Sequence, residues 1–143
     1  MASKMSSMEK KLKHLDFLQL VITRMNVNSF FLKGWAVTLV AALFAFATKE
    51  ANSKFIIITM ISTISFWMLD GYYLSQERQY RTLYDVIRNK NDDDIDFNMN
   101  ASQYRSGRNS WFQSIFATVL IYFYGALVLI TLLVIYIVHS YAT

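Results

Sequence analysis

Two charged side chains stand where a charge is expensive. Lys33 and Asp70 interrupt two otherwise apolar runs, FFLKGWAVTLVAALFAFA and FIIITMISTISFWMLDGYYL. A carboxylate withdrawn from water costs several kcal/mol unless a cation or hydrogen-bond donors face it. The polar break TKEANSK separates the runs, with its midpoint near residue 51.5, and both residues lie 18.5 positions from that midpoint. In an antiparallel helical hairpin at about 1.5 Å per residue, each sits roughly 28 Å from the turn. They share a depth, and we expect them to meet and pin the register of the two helices. The competing expectation is that each side chain snorkels separately toward water.

Other chemistry is scarce. The two histidines, His14 and His139, are far apart in the chain, and there is no cysteine, which excludes thiolate metal sites. The glycines, Gly34, Gly71, Gly107 and Gly125, are scattered singly, so no glycine-rich phosphate loop exists. Asp92, Asp94 and Asp96 hint at calcium. An EF-hand counted from Asp92 needs a glycine sixth and a carboxylate twelfth, where this chain has Phe97 and Gln103. A solvated acidic turn is expected instead. Arg105, Gly107 and Arg108 could cradle a phosphate, or they anchor topology beside an apolar segment. No enzyme, metal or cofactor is expected.

The elements that position these residues follow from composition. Of 143 residues, 55% are hydrophobic and 17% charged, against about 25% charged in soluble domains. The charges fall mainly between apolar blocks. A helix crossing ~30 Å of hydrocarbon needs ~20 apolar residues. Residues 30–48, 55–74 and 111–138 meet that need, the last with length to spare. The charged opening MASKMSSMEKKLKHLDF argues against a cleaved signal peptide. The fold class expected is therefore all-α: an integral membrane protein with three transmembrane helices and two cytoplasmic amphipathic helices. The divisions are an amphipathic helix over 1–29, a transmembrane hairpin over 30–74, a cytoplasmic helix and polar loop over 75–110, and a third span over 111–139.

Lys and Arg orient it. Residues 1–33 carry six, the break carries two, residues 71–110 carry six and the tail HSYAT carries none. Basic residues are kept on the cytoplasmic side. The N-terminus and the 71–110 segment are expected inside a bacterial inner membrane, and the C-terminus in the periplasm.

Small residues mark helix contacts in lipid. Gly34, Thr38 and Ala42, with Ala41 and Ala45 beside them, form such a stripe, expected either against the second helix or between subunits. Ala117, Ile121, Gly125 and Val128 form another. The hydroxyls Thr59, Ser62, Thr63 and Ser65 line a pore or bond to their own preceding turns. Leu12, Leu15, Leu18, Ile22 and Met25 make one apolar stripe. It is expected to lie on the inner leaflet or to pack against the cytoplasmic helix LSQERQYRTLYDVIRNK, whose Tyr73, Tyr80, Leu83, Tyr84 and Ile87 share a face. Arg78, Arg81, Arg88, Arg105 and Arg108 are the expected surface for a signal or partner.

The stretches VITRMNVNSFFLKGWAVTLVAALFAFA, FWMLDGYYLSQERQYRTLYDVIR, IDFNMNAS and LIYFYGALVLI resemble small bacterial membrane proteins with no established activity. More loosely, the hairpin flanked by cytoplasmic helices is similar to SLATT effector domains of bacterial conflict systems, though those have two spans. That resemblance implies an oligomeric effector of antiphage defence, which permeabilises the membrane when triggered. The alternative is a membrane anchor or inhibitory subunit for a soluble defence protein. Expected partners are lipids, further copies of the chain, and a cytoplasmic protein or nucleotide signal. Direct nucleic-acid binding is not expected.

Overall fold

The computed structural model describes residues 6–50 and 54–142, except for the side chains of 47–50, 54, 138, 139, 141 and 142. The expected hairpin turn falls largely outside these residues. So do the side chains of His139 and Tyr141. Among the described residues the regular structure is all helical, with no strand.

Helix α1 runs from Ser7 to Glu50 without a break, 44 residues and so about 66 Å. The N-terminal amphipathic segment is therefore not a separate helix. With no Pro or Gly before Gly34, nothing interrupts the hydrogen-bond ladder between it and the apolar run. Helix α2, Lys54–Asn89, is likewise continuous over 36 residues. Together with a helix from Thr118, these give three helices long and apolar enough to cross a membrane. Most of the apolar residues in their hydrophobic stretches point outward, among them Phe30, Trp35, Ile57, Ile61, Val119 and Leu129.

The third apolar run is divided. Helix α3, Trp111–Ile115, opens on Ser110, whose Oγ accepts the Gln113 N–H. The chain breaks at Phe116 and Ala117, and α4 resumes over Thr118–Ala142. The continuous helix expected over 111–138 is thus interrupted near its start. No Pro or Gly causes the break; the indole N–H of Trp67 compensates it, donating to the Ile115 carbonyl at 2.9 Å.

Gly71 explains how α3 can lie against α2. A Cβ built there would stand 2.6 Å from Ile115 Cγ1 and 3.1 Å from Ile115 Cα. The glycine permits a close backbone approach and does not interrupt α2. Gly34 and Gly125 have open space where a Cβ would go. Gly34, Thr38 and Ala42 are all exposed, so their stripe does not face α2. The buried face of α4 is Leu120, Tyr124, Leu127 and Thr131, which shares no residue with the Ala117–Ile121–Gly125–Val128 stripe.

Two apolar clusters result. At the polar end, Leu18 of α1 meets Leu83 and Ile87 of α2 and Ala101 of the connecting segment. This places the N-terminal half of α1 against the C-terminal half of α2, one of its two expected positions. Leu12 is exposed, and His14 takes a fully buried place in the stripe. At the other end, Ala36 of α1 packs with Leu120, Tyr124 and Leu127, against which Phe66 and Trp67 lie.

The segment 90–110 is more ordered than a polar loop. Asp96, Asn98 and Asn100 each accept a backbone N–H two residues on, at Asn98, Asn100 and Ser102. These turns let the intervening Met99 and Ala101 point into the first cluster. Asn109 fastens the far end, donating to Thr82 Oγ1 and to the Tyr104 carbonyl. Its own carbonyl accepts the Ser75 hydroxyl at 2.6 Å.

Candidate functional site

The buried polar centre of the molecule is Asp70, whose surface is wholly inaccessible. It is carried by α2 at the junction between the two clusters. Lys33 of α1 places Nζ 2.6 Å from Asp70 Oδ2. Ser29, one turn earlier on α1, donates its hydroxyl to Oδ1 and accepts from Lys33 Nζ at 2.8 Å. Tyr124 of α4 donates its phenol to Oδ2 at 3.1 Å. One carboxylate on α2 thus gathers donors from the other two long helices, so that all three meet at one point. A buried charge is tolerable when paired and hydrogen-bonded in this way.

Aromatic packing holds the donors in place. Trp67 stacks on Tyr124 with centroids 5.9 Å apart and planes 6° from parallel. The same indole caps the break between α3 and α4, so one side chain positions both the phenol and the interruption. Phe123 lies under the ammonium, its centroid 6.0 Å from Lys33 Nζ. Such a contact supplements the carboxylate without replacing it.

Lys33 and Asp70 were legible from equal spacing about the hairpin. Ser29, Trp67 and Tyr124 were not. Ser29 had a signal, because four residues before Lys33 is the same helical face. Tyr124 had none, since YFYG offers two tyrosines and only packing selects one.

The expected basic surface is divided between two faces of α2. Arg78, Arg81 and Arg108 line one open cleft of about 370 Å³, together with Glu77 and Asp85. Arg78 donates to the Arg108 carbonyl and to Ser114 Oγ, tying the connecting segment to α3. Burial first, and then the neighbouring Arg108 charge, push the Arg78 guanidinium below its ordinary range. Arg81 pairs with Glu77 at 2.7 Å, and Arg88 approaches Asp85 to 3.5 Å. Arg105 lies on another face, beside Tyr72 and Trp111.

The remaining candidates are used internally. The hydroxyls of Thr38, Thr59, Thr63 and Ser65 bond to carbonyls four residues back. Each of these hydroxyls is thus bonded within its own helix. Asp92 pairs with Lys11 at 2.9 Å, Asp93 accepts the Ser7 hydroxyl, and Asp96 approaches Lys90 at 3.7 Å. The Asn98 N–H is the main cause holding the Asp96 carboxyl below its usual range, with Lys90 adding to it. The acidic turn thus staples the connecting segment to α1. Among the described residues no group of side chains has metal-binding geometry.

Comparison with protein-family models, curated proteins and solved structures finds no match to this chain. What it does must be argued from its own residues.

Proposed function

We propose that this chain is an oligomeric effector of the bacterial inner membrane, which permeabilises the bilayer when a cytoplasmic signal reaches it. In this reading the three apolar helices are spans, the N-terminus and residues 75–110 are cytoplasmic, and the C-terminus is periplasmic. One observation carries the proposal: a single buried carboxylate on α2, at the inner end of the spans, holds donors from the other two. A change in the helical platform on α1 and α2 reaches that point directly, because both helices are continuous from platform to bilayer. In lipid, burial of apolar surface no longer drives helices together, so polar contacts and close packing decide which arrangement prevails. Releasing Asp70 would therefore free the spans to rearrange. The outward stripe of Gly34, Thr38 and Ala42 supports contact between copies. On the resemblance to SLATT effectors, we read the trigger as a phage-sensing partner.

The test needs no knowledge of that trigger. Wild type, Asp70→Asn and Lys33→Met are expressed at matched levels, and membrane potential is followed with a voltage-sensitive dye. The wild type should be silent and both variants should depolarise the cell. If neither variant depolarises, the effector reading fails.

A second reading is supported by the solvent-open cleft of Arg78, Arg81 and Arg108. There the chain is an anchor or inhibitory subunit, and the cleft receives a soluble defence protein. Co-purification of that protein at fixed stoichiometry, with the potential intact on activation, would favour it.

A further inference from the structure

Three grooves follow one another along a single side of α2. The first, about 320 Å³, is lined by Ile61, Ser62, Ser65, Phe66 and Leu69. It shares Ser65 and Leu69 with a groove of about 540 Å³ that also meets Met68, Tyr72, Trp111 and Arg105. Tyr72 and Arg105 in turn belong to a recess of about 280 Å³, where Gln76, Gln79, Asn100 and Ser102 supply hydrogen-bonding groups. An apolar track thus leads into a polar recess, with a guanidinium at the junction. Among the described residues Arg105 makes no ion pair.

The dimensions select an occupant. From Ile61 to Tyr72 the track rises eleven residues on a helix, roughly 16 Å. That is about half of a ~30 Å hydrocarbon core, the depth of one leaflet. Tyr72 and Trp111 flank the junction, as amphipathic aromatics do at headgroup level. Arg binds phosphate through a fork of N–H donors. No carboxylate lines the recess, so no anion there pairs with an ammonium headgroup, while its amides and hydroxyl offer several partners to headgroup hydroxyls.

We infer that this side of α2 is a site for an anionic glycerophospholipid of the inner leaflet whose headgroup bears hydroxyls, the phosphatidylglycerol class. Its acyl chain lies along Ile61–Tyr72, its phosphate at Arg105, and its glycerol against Gln76 and Ser102. The inference rests on the membrane-spanning reading and is independent of whether the protein permeabilises anything.

The full chain is reconstituted in nanodiscs with equal fractions of phosphatidylglycerol, phosphatidic acid, phosphatidylethanolamine and phosphatidylcholine. It is then released into detergent, and the retained lipids are counted by native mass spectrometry. Phosphatidylglycerol should be retained about tenfold over phosphatidylcholine, the scale of one charge-assisted contact. Arg105→Gln should abolish that preference, while Arg88→Gln, an exposed charge on α2 outside the grooves, should preserve it. Gln76→Leu should erase the advantage of phosphatidylglycerol over phosphatidic acid and keep that of anionic over zwitterionic lipid. Equal retention of all four classes would overturn the site. So would equal losses in the two arginine variants, which would mean diffuse charge attraction. Arg105-dependent binding of a soluble nucleoside triphosphate, without lipid selectivity, would assign the recess to a different ligand. Recovery of the protein in the soluble fraction without detergent would instead sink the membrane reading, and this inference with it.

Discussion

At Asp70 the arithmetic of a buried charge decides what the side chain can do. Alone, the carboxylate would be destabilising; with Lys33, Ser29 and Tyr124 around it, it becomes the point where three helices agree on a register. Removing one member of a buried pair typically costs about 3–5 kcal/mol, because the other is left uncompensated. Asp70→Asn and Lys33→Met should each lower the thermal unfolding temperature in detergent. The double variant should cost less than the two losses together, with a coupling on the order of 0.5–3 kcal/mol. Strict additivity in that cycle would mean the two groups stabilise the protein separately.

Between elements, the close approach of α3 to α2 depends on one missing methyl group. Gly71→Ala would drive a Cβ into Ile115, including its backbone, and overpacking of this kind costs roughly 1–3 kcal/mol. Truncating Ile115 would relieve only the side-chain part of that clash. Gly34→Ala and Gly125→Ala meet nothing within 4 Å. Helix propensity should make each of them neutral or stabilising, by up to about 1 kcal/mol. Thermal unfolding of the three variants separates the cases: a loss at Gly71 with no loss at the other two. An unaffected Gly71→Ala would show that α3 does not sit against α2.

For the whole molecule, length and charge bias define the arrangement to be tested. Helix α1 is more than twice the length needed to cross the hydrocarbon, so in a bilayer its polar half must project. The native chain has no cysteine, and single introduced thiols can therefore report position cleanly. Asn91→Cys should react with a membrane-impermeant maleimide only from the cytoplasmic side, and Thr143→Cys only from the periplasmic side. Ala42→Cys, on the outward stripe, should form disulfide-linked dimers on oxidation, whereas Leu129→Cys on α4 should not. Labelling of both ends from one side would refute three crossings, and no dimer at Ala42 would remove the stripe from the oligomer interface.

The apolar runs, and hence the number of membrane-length helices, could be read from composition, because helix length in lipid is a counting problem. So could the shared depth of Lys33 and Asp70, because a hairpin fixes depth by residue number, whereas their contact depended on which faces packing brought together. Counting along a chain cannot show which faces touch. Tertiary packing chose Tyr124 over Tyr122, enlisted Trp67 to cap an interruption that no Pro or Gly announces, and turned the Gly34 stripe outward. It ordered residues 90–110 through alternating Asx turns, and it separated Arg105 from Arg108 although they are three residues apart. Those outcomes depend on contacts between residues far apart in sequence, which local pattern does not encode. Periodicity gave each helix its candidate faces; the neighbouring helices determined which of them were buried.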